Sequence, residues 1–100
     1  MLIVTGDLIA KTGAFAALFA AGRAHSERSR GELGCIGHEC FADPDNSNRL
    51  FFFERWADRA ALDAHFKTPG IAQLMLAVRE HATGRGQLDI YAAEPQPGPG

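Results

Sequence analysis

From Arg49 to Trp56 the chain carries two large faces, with Leu50, Phe52, Glu54 and Trp56 on one and Phe51, Phe53 and Arg55 on the other, because successive side chains of a strand point to opposite sides. A strand with aromatics on both faces has to be covered, at least in part, on both. The run leads directly into Asp58, an N-cap candidate for a helix reaching to about Lys67, with Leu62, His65 and Phe66 on a common side. This one segment therefore demands a sheet with helices packed on it.

The remaining segments supply that sheet and those helices. Leu2 to Ile9 is rich in Leu, Ile and Val and reads as a strand. Phe15, Leu18 and Phe19 then open a helical face that continues to His25 and Ser26, with Thr12 as the expected N-cap and Gly31 as the stop. Gly22 lowers helix propensity but would let the helix approach the sheet closely. Gly34 to Ala42 reads as a second strand, with Cys35, Gly37, Glu39 and Phe41 on one face and Ile36, His38, Cys40 and Ala42 on the other. The cluster Asp43-Pro44-Asp45-Asn46-Ser47-Asn48 is a turn that joins it to the aromatic strand as a hairpin. After the break at Thr68-Pro69-Gly70, Ile71, Leu74, Met75 and Val78 resume a helical spacing, and Leu88 to Ala93 forms the last strand.

The order is β-α-β-β-α-β, an α+β chain with the split βαβ arrangement of a ferredoxin-like fold. Right-handed crossovers place the helices on one face of an antiparallel sheet. A second subunit is the simplest cover for the other face, so a homodimer is expected. Residues 1–94 form the expected domain, and the Pro/Gly-rich stretch 95–100 has too little apolar content to pack and is expected to be disordered.

With 100 residues there is no room for a cofactor domain beside a substrate domain. The formal net charge of −2 provides no basic field for nucleic acid or an acidic membrane. The opening Met1-Leu2-Ile3-Val4-Thr5-Gly6-Asp7 lacks a basic leader and meets a charge early, and no apolar run is long enough to span a membrane. A cytoplasmic protein is the expectation. Cys35 and Cys40, placed on opposite faces of one strand, read as reduced thiols, and two cysteines alone make no zinc pattern.

Glu54 and Trp56 share a strand face, and His65 lies on the following helix, so a carboxylate, an indole and an imidazole can line one pocket. His65 is the residue best suited to exchange protons near neutral pH, and it is equally readable as a packed residue that fixes the helix. A covered Glu54 needs a partner, for which His65, Arg23 and Arg28 are candidates. Trp56, Phe52 and Phe66 are expected as an apolar wall. His38 and His25 border the same region, and Asp7 is a polar interruption on the face of Ile3 and Ile9, readable as a pocket acid or as a turn residue. The spacing from Asp43 to Glu54 mimics a calcium loop, but Asn48 replaces the required glycine.

Glu32-Leu33-Gly34-Cys35, Phe53-Glu54-Arg55-Trp56-Ala57-Asp58 and Ala61-Leu62-Asp63-Ala64-His65-Phe66-Lys67-Thr68-Pro69 together resemble the antibiotic biosynthesis monooxygenase family, small dimeric α+β barrel proteins. The resemblance runs to about Glu94, and Leu33 stands where the family has proline. It implies a cofactor-independent monooxygenase acting on a small aromatic quinol or polyketide-like molecule, with molecular oxygen as co-substrate. In that role His65 would handle a proton, Glu54 would orient it, and Trp56, Phe52, Phe66, His38 and Asp7 would surround the substrate. The haem-degrading branch is not favoured, because Met75 falls near its histidine and Asp7 stands where an asparagine is usual. An isomerase using the same pocket without oxygen and a non-catalytic ligand-binding dimer are the alternatives.

Overall fold

The computed structural model describes residues 1–100. Four strands, β1 (Leu2–Ile9), β2 (Cys35–Ala42), β3 (Arg49–Trp56) and β4 (Gln87–Ala92), form one antiparallel sheet in the order β2-β3-β1-β4. Three helices connect them: α1 (Phe15–Ser29) between β1 and β2, then α2 (Arg59–Phe66) and α3 (Pro69–His81) between β3 and β4. The result is the ferredoxin-like βαββαβ fold, with the second helical connection broken in two.

The break has a local cause. Asp58 caps α2 by accepting from the Ala61 N–H at 2.9 Å, and the Thr68 hydroxyl donates to the His65 carbonyl at 2.9 Å where α2 ends. Pro69 then begins α3 two residues before the apolar spacing resumes, since a missing N–H is harmless in a first turn. At the start of α1 the expectation differs from the structure. Thr12 is not the N-cap, because Thr12-Gly13 form a turn that delays the helix, and Ala14 caps it without a side-chain bond.

Strand β2 also departs from simple alternation. Its register against β3 shifts between Cys35 and Gly37, with Cys35 opposite Trp56 and His38 opposite Glu54. The extra residue turns Cys35 to the helix side, which it shares with His38 and Cys40, so the two cysteines do not lie on opposite faces as alternation suggested. They pair with β3 residues four apart and remain free thiols.

The core lies between sheet and helices. Leu8, Leu18, Leu50, Phe52, Leu74 and Val78 belong to one buried cluster, and Val4, Trp56 and Leu62 to a second. Gly22 brings α1 down onto the sheet: a Cβ there would stand 2.9 Å from Cys40 Sγ and 3.2 Å from Phe52 Cζ. Gly22→Ala is expected to destabilise the fold by about 1–2 kcal/mol, overpacking outweighing the gain in helix propensity. A lower urea midpoint at unchanged slope is the measurement, and an unchanged or raised midpoint would contradict the close approach.

Only one sheet face is covered within the chain. On the other, Phe41 and Tyr91 are about half exposed, and Ile3, Phe51 and Phe53 are half-buried. No helix is long and apolar enough to cross a membrane.

Candidate active site

A cavity of about 300 Å³ opens between the sheet and the helices. Strand β3 contributes Phe52 and Glu54, α1 contributes His25, and α2 contributes His65 and Phe66. Ile71, Leu74 and Met75 of α3 form an apolar side, while Arg85, in the loop before β4, brings a cation to the wall. The volume suits a small organic molecule rather than a polymer or a large cofactor.

His65 is held from an unexpected direction. Its Nδ1 lies 2.9 Å from Glu32 Oε1, in the loop that follows α1. A carboxylate oxygen can only accept, so Nδ1 carries the proton and, in the neutral ring, Nε2 keeps its lone pair. Glu54 Oε1 stands 3.9 Å from that Nε2. The orienting contact expected of Glu54 is thus made by Glu32, and Glu54 faces the nitrogen that would receive a proton. Trp56 stacks against the imidazole with ring centroids 4.6 Å apart, which fixes its plane.

Of the partners expected for Glu54, His65 is the one nearby, at 3.9 Å, and two others were not expected. Trp56 donates to Oε1 at 3.0 Å, and His38 Nε2 lies 3.3 Å away; neither Arg23 nor Arg28 reaches it. The His38 contact is close enough for Coulomb attraction, but its alignment does not make a hydrogen bond. Burial alone would push the Glu54 carboxyl up. The neighbouring His38, the Trp56 donor and nearby His65 outweigh it and hold the group below the usual carboxylate range.

His38 and Trp56 are fully buried behind this carboxylate and are absent from the cavity lining. They act on the cavity through Glu54 and His65: Trp56 is not part of the wall expected of it, and His38 does not touch the cavity that it was expected to border. His38 is anchored on its far side by Ser26 Oγ, 2.8 Å from Nδ1. Arg30 also donates to the His38 carbonyl at 3.0 Å. Phe52 and Phe66 do line the cavity. Asp7 borders it only by virtue of its backbone position: alternation turns its side chain to the opposite sheet face, where it is ion-paired with Arg49. The expected pocket acid is therefore a surface ion-pair member.

His25 is 2% exposed and its Nδ1 has no hydrogen-bond partner. Desolvation, followed by repulsion from His38 and His65, lowers its pKa to about 4. Glu32 and Arg85 were not picked out as site residues from the sequence. Glu32 lies 33 positions from the histidine it holds, and no local spacing marks it.

Comparison with known proteins bears on this arrangement. An uncharacterized protein of Synechocystis sp. is 38% identical over 90 residues, which is 90% of this chain and 61% of that protein, so the chain spans under two thirds of its relative. A crystal structure of an antibiotic biosynthesis monooxygenase superposes with a TM-score of 0.85 at 29% identity, covering 95% of this chain and 100% of that one. A Mycobacterium tuberculosis protein superposes with a TM-score of 0.86 at 26% identity, covering 95% and 96%. A Deinococcus radiodurans protein reaches 0.91 over 98% and 97% at 23% identity, a likeness of fold alone. The profile of the family described as antibiotic biosynthesis monooxygenase matches residues 1–75, from β1 into α3 and through all the histidines of the cluster. The chain belongs to the antibiotic biosynthesis monooxygenase family.

Proposed function

We propose that this chain is a homodimeric oxidoreductase that oxygenates a small aromatic quinol or polyketide-like molecule in the cavity between sheet and helices. The observation that carries the reading is His65: its Nδ1 proton is committed to Glu32, and its other nitrogen faces Glu54 at the cavity wall. A phenolic proton passing to Nε2 creates an imidazolium between two carboxylates, which stabilise it. The electron-rich anion then reacts with oxygen. The O–O bond breaks: one oxygen atom enters the substrate, and the other leaves as water with two hydrogens from the substrate, one lost from the carbon that is oxygenated and one the phenolic proton returned by His65. The substrate supplies all the electrons.

The apolar side made by Phe52, Phe66 and Leu74 shields the anion from solvent protons. Arg85 offers a counter-charge for a phenolate or carboxylate group. Oxygen uptake by chelator-treated protein with a panel of hydroquinones and anthrones tests the proposal. Turnover that consumes oxygen supports it; equal turnover under nitrogen would assign a proton-transfer enzyme instead, and absence of turnover across the panel would remove this substrate class.

The dimer belongs to the same proposal. Phe41, Phe51, Phe53 and Tyr91 share the sheet face that no helix covers, and an uncovered aromatic patch of this kind, bordered by the Asp7–Arg49 ion pair, favours association. Sedimentation is expected to give twice the chain mass, and Phe51→Glu with Phe53→Glu to give the monomer. A monomeric wild type at micromolar concentration would contradict it.

A further inference from the structure

Three elements far apart in sequence bring imidazoles to one point. His25 on α1, His38 on β2 and His65 on α2 are all buried, and each offers a ring nitrogen within 4.8 Å of those of the other two. Their ring centroids form a near-equilateral triangle of 5.2, 5.2 and 5.4 Å. Glu54 Oε1 adds an oxygen at 3.3 Å from His38 Nε2 and 3.9 Å from His65 Nε2.

Packing alone is a poor explanation of this cluster. His25 Nδ1 is buried without a hydrogen bond, and His38 Nε2 has only the poorly aligned Glu54 contact at 3.3 Å; native interiors rarely leave such groups unsatisfied. Three apolar side chains would fill the space without that cost. Two of the rings are instead held from behind, His38 Nδ1 by Ser26 at 2.8 Å and His65 Nδ1 by Glu32 at 2.9 Å. Holding the outer nitrogen with a hydroxyl or a carboxylate is how proteins orient an imidazole whose other nitrogen binds a metal.

We propose that His25, His38 and His65, with Glu54 beside them, form a site for one divalent transition-metal ion of the zinc type, opening on the cavity. Three nitrogens and one oxygen suit such an ion and exclude calcium and magnesium, which prefer all-oxygen shells. Tetrahedral bonds of about 2.0–2.1 Å set ligand atoms ~3.4 Å apart, so ligand atoms as much as 4.8 Å apart must close by up to about 1.4 Å on binding. His25, Glu54 and His65 line the cavity, which supplies the entry path. The inference goes beyond the oxidation reading and stands on separate observations. A bound ion occupies the imidazoles, and loaded and metal-free protein then differ in what they present to a ligand.

The experiment uses the full chain, stripped by chelator and titrated with cobalt(II) as a spectroscopic stand-in for zinc. One equivalent is expected to produce the intense visible absorption of a four-coordinate ion, which zinc abolishes, and zinc is expected to raise the melting temperature. His25→Ala is expected to weaken binding at least 100-fold. Glu32→Gln, at a partly exposed position that need not disturb folding, is expected to weaken it about 10-fold or more. No saturable cobalt band in wild type, or affinity unchanged in both variants, would overturn the proposal. Binding lost in Cys35→Ser, Cys40→Ser or His81→Ala would also overturn it by moving the ion elsewhere. None of these readings depends on turnover. Metal binding without quinol oxidation removes only the oxidation reading; oxidation by chelated protein that binds no metal removes only the metal site.

Discussion

Replacing His65 by alanine is expected to lower kcat for quinol oxygenation by about 100- to 10,000-fold, the range over which a positioned general base contributes. The reason lies in the division of labour around the ring. Glu32 holds the Nδ1 proton at 2.9 Å, Trp56 fixes the plane, and Nε2 is left to take the substrate proton with Glu54 facing it. His65 is 1% exposed, so the alanine variant leaves a void, and His65→Gln, which fills the space without supplying a base, is the necessary companion. Both should lose turnover while only the first loses stability. Glu32 is a positioning residue, and Glu32→Gln should lower kcat about 10-fold or more with KM unchanged and the melting temperature within a few degrees. Wild-type turnover in a folded His65→Gln protein would refute the assigned role.

The second large effect is on stability. His25 is buried and has its pKa lowered to about 4, first by desolvation and then by repulsion from His38 and His65. In the unfolded chain it titrates near its ordinary value of 6.5. Between those values the unfolded state binds the extra proton, so stability rises with pH across this window. The contribution is fully present above about pH 6.5 and is lost progressively as pH falls toward 4. A shift of this size corresponds to a loss on the order of 3 kcal/mol. Glu54, held below its ordinary range, acts in the same direction at lower pH, its contribution being present above its unfolded value of about 4.5 and lost below it. Urea midpoints of metal-free protein at pH 7, 5.5 and 4.5 should fall steadily, and His25→Gln should flatten the slope. A midpoint independent of pH over that range would show that His25 stays accessible to protons in the folded protein.

Much of the fold could be read in the chain because its signals are local. Leu2–Ile9 has the strand bounds expected from its Leu, Ile and Val content and Arg49–Trp56 those expected from alternation, and Asp58 caps its helix as its position suggested. The departures arise where an alternative local geometry was available. Thr12-Gly13 turned instead of capping, and the shift between Cys35 and Gly37 inverted one end of β2. Of the site, Phe52, Glu54, His65 and Phe66 were placed at the cavity because strand period and helix spacing set which face they occupy. Asp7 misled for the same reason: its face was read correctly, but that face lies away from the cavity and carries Arg49.

The sequence by itself determined the β-α-β-β-α-β order, the helix-facing side of β3 and the candidacy of His65, since each follows from the period of the backbone over a few residues. Only the tertiary structure decided what His65 does. Glu32, His25 and His38 reach it from a loop, a helix and another strand. Hydrogen-bond and electrostatic coupling act through space at a few ångströms, and no sequence spacing encodes distances between segments that meet only when the sheet closes under its helices.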